Sequence, residues 1–186
     1  MKLVADFLRY KRKAILFIFS ITVCFPVTAE VQTLAGLKAA YVYNIAKFTR
    51  WPEYSLGKNM RLFKLCLYGK GEVIEELKKL NGRPLSVHSI SIIDLEKESD
   101  FIQCHALYVS SSERRRYRYV LSLVNVDSVL TISDDERFLR QGGLVNLLEK
   151  QHKLRFEISR PLLSEIDLKM SSKLLKLALM SEGGRK

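Results

Sequence analysis

The spacing of apolar residues changes several times along this chain, and each change marks an element. Leu34, Leu37, Tyr41, Asn44/Ile45, Phe48 and Trp51 recur every three to four positions. That period predicts a helix with one apolar-aromatic face and with Lys38, Lys47 and Arg50 off the stripe. Pro52 ends it, because the residue before a proline is pushed out of helical geometry. Gly57-Lys58-Asn59 reads as a turn. In Leu62–Tyr68 the period drops to two. Phe63, Leu65 and Leu67 share one face, and Leu62, Lys64, Cys66 and Tyr68 share the other, as in a strand. Gly69-Lys70-Gly71 turns tightly into a helix over 72–80 with Val73, Ile74 and Leu77 inward, and Asn81-Gly82 stops it. Pro84 to Ile93 predicts a second strand alternating through Leu85, Val87 and Ile90. A polar stretch over 94–103 leads to a third strand, 105–109.

Ser110 to Glu113 has the spacing of a capping box ahead of a helix through Tyr117, Val120, Leu121 and Val124. Residues 128–133 form a fourth strand. Asp134-Asp135-Glu136 starts a short helical turn ending near Gln141. Gly142-Gly143 separates that turn from an apolar strand, 144–148. Residues 149–152 then turn the chain into an antiparallel partner, 153–158. Pro161 opens a short helix, and Ser171 caps a last one carrying Leu174, Leu175, Leu177, Ala178 and Met180. The strand–helix–strand alternation predicts a single compact α/β domain. Its central sheet is mostly parallel, with helices on both faces and a C-terminal antiparallel hairpin.

The first 29 residues follow a different pattern. Arg9, Lys11, Arg12 and Lys13 precede an apolar run of twelve, 14–25; Pro26 breaks it, and Val27-Thr28-Ala29 offers a small-residue cleavage pattern. A spanning helix needs about 20 apolar residues. Val23 is too large to precede Cys24 in a lipidation site. Residues 1–29 are expected to be a cleavable secretory signal, and the exported domain is 30–186. The full chain carries 31 Lys+Arg and 20 Asp+Glu, net +11; without 1–29 the balance is 26 against 19, net +7. A basic exported domain suits an acidic partner or an anionic surface, and nucleic acid is excluded by compartment and by the lack of a recognition motif. Cys24 leaves with the signal. In an oxidising compartment the remaining Cys66 and Cys104 favour one disulfide, with two buried free thiols as the alternative.

Little of the sequence points to catalysis. Gly69-Lys70-Gly71 follows a strand and opens a helix, but Ile74 stands where a dinucleotide fingerprint needs a third glycine, and the P-loop spacing is absent. His88, His105 and His152 stand at no metal-ligand spacing. Asp134-Asp135-Glu136 fits a solvated helix start better than a cation site. No nucleophile signature is present. We therefore expect no catalytic centre, no metal and no cofactor. What remains is contact chemistry: the cationic run Arg114, Arg115, Arg116 and Arg118, and the aromatic residues Tyr43 and Tyr54, a type enriched at interfaces.

Two segments carry a resemblance. Leu37-Lys-Ala-Ala-Tyr-Val-Tyr-Asn-Ile-Ala-Lys-Phe-Thr-Arg-Trp-Pro52 is similar to the opening helix of the YfiR family of exported regulators. Gly142-Gly-Leu-Val-Asn-Leu-Leu-Glu149, then Leu154-Arg-Phe-Glu-Ile158, then Leu168-Lys-Met-Ser-Ser-Lys-Leu-Leu-Lys-Leu-Ala178 resembles its closing signature. The resemblance covers roughly 37–178. It implies a usually dimeric, non-catalytic α/β domain in the Gram-negative periplasm. Regulators of this type repress an inner-membrane diguanylate cyclase (YfiN-like) by binding its periplasmic part. An outer-membrane lipoprotein (YfiB-like) relieves the repression, and the output is the cyclic di-GMP level that governs biofilm and motility. Cys66 and Cys104 match the family's bridge in the central sheet. A second bridge found in some members has no counterpart here, since 142–158 holds no cysteine. On this reading Tyr43, Tyr54, Arg114, Arg115, Arg118, Arg155 and Glu157 are candidate partner contacts. The alternative is a periplasmic small-ligand sensor reporting to another membrane signalling protein. Its pocket would lie between the first helix and the closing strand, lined by aromatics and Arg155 or Glu157.

Overall fold

The computed structural model describes residues 33–56, 61–96 and 98–182. The expected signal segment, 1–29, and the Gly57-Lys58-Asn59 turn lie outside the described residues. Helix α1 (Leu34–Lys47) starts where the Thr33 hydroxyl accepts the Gly36 amide at 3.0 Å. It does not bury the aromatic stripe. It buries Ala35, Ala39, Val42, Ile45 and Ala46, because small side chains let the helix seat closely on the sheet. Leu34 and Phe48 are left 46% and 41% exposed, and Tyr41 and Tyr43 are half-buried. The helix also stops before Trp51. Thr49–Arg50 leaves it as β1, the Thr49 hydroxyl donating to the Ile45 carbonyl at 2.8 Å. A single turn, α2 (Glu53–Leu56), follows. Trp51 is an anchor outside the helix: its Nε1 donates to the His105 carbonyl at 2.9 Å, and its ring meets Phe63 edge-on at 4.8 Å.

The main sheet contains β2 (Leu62–Tyr68), β3 (Pro84–Leu85), β4 (His88–Asp94), β5 (Ala106–Val109), β6 (Leu130–Ser133), β7 (Val145–Lys150), β8 (Lys153–Ser159) and β10 (Leu179–Ser181). Its eight strands lie in the order β10-β8-β7-β6-β5-β2-β4-β3. Strands β4, β2, β5, β6 and β7 run parallel. β8 pairs antiparallel with β7 through a turn at Gln151 and His152, both at positive φ. A second, two-stranded sheet pairs β1 with β9 (Lys169–Met170). The mostly parallel α/β architecture with a closing hairpin is therefore present. One face of the sheet packs against α1 and α3 (Glu72–Lys78), around Phe63, Leu65, Ile132, Leu147 and Phe156. The other packs against α4 (Tyr117–Ser122), around Cys66, Leu107, Val109 and Phe138.

Several expected elements change form. Ser86 at φ 57° splits 84–93 into the β3–β4 hairpin and leaves Val87 84% exposed at its tip. Ser110 caps only a 3₁₀ turn over Ser111–Glu113, its oxygen accepting the Ser112 amide at 3.2 Å, and α4 begins afresh at Tyr117. Pro161 opens α5 (Arg160–Glu165), capped by Ser159. The last helix is one turn, α6 (Ser172–Leu175), and Leu177 to Met180 are not helical. That segment leaves the helix to run as β10 beside β8, where it pairs an otherwise open sheet edge.

The glycine pair has a steric reason. Gly142 takes φ 100° to end the turn over Leu139–Gln141, and a Cβ on Gly143 would overlap the Phe138 ring. That ring is fully buried and held edge-on against Tyr117 at 5.0 Å, so it has nowhere to move. Gly143→Ala should cost about 1–3 kcal/mol as an overpacked core does. The loss should read as a lower urea midpoint with an unchanged slope.

Candidate functional site

β10 pairs with β8 only from Glu157 to Ser159, so the start of β8 is not covered by a strand on that side. There α1 and α6 stand apart and enclose a cavity of about 420 Å³. Its walls are Tyr41, Ile45 and Phe48 of the α1 region, Phe156 of β8, and Leu174 and Leu177 at α6; Asn44, Arg155 and Lys173 supply its polar groups. Tyr41 fixes one side: its hydroxyl donates to the Leu154 carbonyl at 3.1 Å, and its ring meets Phe156 edge-on at 6.1 Å. Phe48 and Leu177, 41% and 68% exposed, stand in its wall. Two cations and no carboxylate line it. A mainly apolar cavity of this size with a few placed polar groups suits an apolar or aromatic group bearing negative charge.

Of the sequence-predicted contacts, Arg155 alone lines this cavity. Glu157 lies further along the same strand, half-buried, opposite Asn146 in the β7–β8 register. Tyr43 is occupied inside the fold: its hydroxyl donates to the Pro84 carbonyl at 2.9 Å, and the Arg83 guanidinium lies 4.4 Å over its ring. Tyr54 is 65% exposed, but its hydroxyl donates to Asp167 at 2.5 Å, and that bond raises the phenol above its ordinary pKa. Arg114, Arg115 and Arg118 are exposed around the start of α4, and Arg114 lines a separate polar cleft. The structure does not bring the seven together. Tyr41, Phe48 and Lys173 were missed as site residues. The signal for the first two was present: Ala35, Ala39, Val42 and Ala46 already trace a helical face, which displaces the aromatics to the flank.

Cys66 and Cys104 form a disulfide with Cα atoms 5.7 Å apart, linking β2 to the segment that enters β5. Both lie in the core beneath α4. His105 follows directly. It is 4% exposed, its Nδ1 accepts the Lys64 amide at 2.9 Å, and burial, aided by the Lys64 charge, lowers its pKa to about 4. It is a neutral structural acceptor. Among the described residues no group of three or more His, Cys, Asp or Glu is placed to hold a metal, and no helix is long and apolar enough to cross a membrane.

A mostly parallel α/β domain with an apolar, cationic groove at the α1–β8 flank defines the class. Residues 35–179 match the DUF4154 family, described as YfiR/HmsC-like, and the chain belongs to that family. It is a regulatory, periplasmic family linked to cyclic di-GMP signalling. No curated protein sequence is significantly similar to the chain. Among solved structures, a conserved domain protein from Vibrio cholerae O1 biovar El Tor is similar in fold at TM-score 0.51 and 7% identity, over 80% of this chain and 60% of that one. An ABC domain from Streptococcus pneumonia, solved with L-Trp, matches at TM-score 0.47 and 12% identity, over 69% of this chain and 57% of that one. The chain thus spans about three-fifths of these structures.

Proposed function

We propose that the protein is an exported periplasmic repressor that docks on the periplasmic part of an inner-membrane diguanylate cyclase and lowers cyclic di-GMP. The observation that carries this reading is the family match over 35–179, which takes in nearly all of the expected mature domain. The groove supports a docking mode. Exposed Phe48 and Leu177 share the groove with the cations Arg155 and Lys173, a lining that suits an apolar partner side chain accompanied by acids. Repression then needs only tighter binding to the inactive sensor than to the active one. Near-complete switching takes about 5.5 kcal/mol of such preference. A YfiB-like lipoprotein would compete for the regulator, and a homodimer is the expected assembly.

Deleting the gene should raise cellular cyclic di-GMP, and the wild-type gene should restore it. The double variant Phe48→Ala, Arg155→Glu alters exposed groups and should fold normally, yet fail to restore repression. Unchanged cyclic di-GMP in the deletion strain would refute the proposal. The cavity itself favours a second reading, a sensor for a small aromatic anion. Aromatic carboxylates that raise the melting temperature of wild-type protein, but not of Phe48→Ala, would select that reading.

A further inference from the structure

The exit of α1 is crowded with positive charge that the fold does not answer. Lys47 and Arg50 are exposed and line a second cavity of about 290 Å³, beside Trp51. Phe48, between them in the chain, belongs instead to the wall of the groove, with Lys173 and Leu177. The Ser171 amide donates to the Phe48 carbonyl at 3.0 Å, which ties the start of α6 to this exit. β1 then pairs with β9 in a register that sets Arg50 directly opposite Lys169, and both are exposed. Like charges so placed repel across the ladder.

Among the described residues Lys47, Arg50, Lys169 and Lys173 form no ion pair. No carboxylate lines either cavity. The acids next along the chain do not compensate them: Asp167 accepts the Tyr54 hydroxyl, and Glu53, exposed on α2, pairs with none of the four. Only Lys47 has a local reason for its place, since a cation suits the last turn of a helix. Two large apolar side chains, Phe48 and Leu177, are exposed on the same face.

We propose that this face rests on an anionic phospholipid bilayer, with Lys47, Arg50, Lys169 and Lys173 against lipid phosphates and Phe48 and Leu177 in the headgroup layer. Attachment to such a surface grows with buried apolar area and with basic charge together, and this face offers both. The four cations come from four separate elements, the end of α1, β1, β9 and α6. A fluid bilayer brings a phosphate to each of them wherever it lies, whereas an acidic protein must match a fixed pattern. The choice of lipid also rests on the docking reading, because a partner in the inner membrane holds the regulator beside phospholipid. Confinement to that surface raises the local concentration at which regulator and partner meet.

Cosedimentation of the exported chain with vesicles of equal parts phosphatidylglycerol and phosphatidylcholine should show binding that high salt reverses, and phosphatidylcholine vesicles should bind little. The double variant Arg50→Gln, Lys169→Gln should weaken partitioning roughly 25-fold, about fivefold per charge. It also removes the like-charge pair, so its melting temperature should hold or rise, which separates lost binding from lost folding. Arg137→Gln, Arg140→Gln removes as much charge from exposed positions after β6, near the other end of α1, where Lys38 pairs with Asp134; it should keep most of the binding. No binding by wild type, or an equal loss in the two double variants, overturns the proposal. Wild type that binds no vesicle, while Arg50→Gln, Lys169→Gln fails to repress in cells, assigns the face to an acidic protein instead. The docking reading is tested separately, by cyclic di-GMP in the deletion strain.

Discussion

Cys66→Ser should lower the unfolding free energy by about 4 kcal/mol, the chain-entropy value for a bridge across a sequence separation of 38. The bridge joins β2, at the centre of the sheet, to the entry of β5, its neighbour. In the unfolded chain it removes conformations that the folded chain never uses. A serine hydroxyl would also enter the apolar cluster of Phe101, Leu107 and Tyr117 without an assigned partner, adding to the loss. Urea unfolding of wild type and variant under non-reducing conditions measures the difference. A loss below about 1 kcal/mol would show that the bridge does not constrain the unfolded chain as this account requires. Because Cys66 is fully buried and Cys104 is 4% exposed, reductant should leave the native protein bridged and act only through unfolding. The bridge is thus a structural tie, and with no cysteine in 142–158 the chain has no second bridge there to add redox control.

Acid should cost the fold about 3 kcal/mol between pH 6.5 and 4, through His105. The folded chain holds this imidazole neutral, with a pKa lowered to about 4, whereas the unfolded chain protonates it near 6.5. Above pH 6.5 neither state carries the proton, and the full stability is present. As pH falls toward 4 the unfolded chain binds a proton that the folded chain refuses, so stability declines through that window. His105→Asn keeps an acceptor for the Lys64 amide but does not titrate. Chemical unfolding of both proteins at pH 7 and pH 4.5 tests the point. The gap between them should shrink or reverse at the lower pH, and a constant gap would remove His105 from the acid response.

Much of the architecture was legible in the sequence because the middle of the chain alternates cleanly. The period of two in Leu62–Tyr68 placed Phe63, Leu65 and Leu67 on one face and Cys66 on the other, as the two cores show. The two ends were less legible, since tertiary pairing overrode local preference. Leu177 to Met180 has a helical apolar spacing, yet its backbone completes a sheet edge. Val87 looked inward by alternation, but Ser86 at positive φ turned it out. The groove was partly legible: Arg155 and an aromatic lining beside the first helix were read from the closing motif and the stripe. Tyr43 and Tyr54 drew notice as interface-type residues, but the partners that occupy them, Pro84, Arg83 and Asp167, are distant in sequence. No local pattern shows such pairings.

The methyl-bearing seat of α1 sets the shape of the flank from behind. Ala39 and Ala46 rest against the sheet while Tyr41 and Phe48 project sideways. Swapping either alanine for a bulkier neighbour would tilt the rod outward and move both rings without altering a single atom that an occupant touches. The width of the groove is therefore set in part by residues that do not line it.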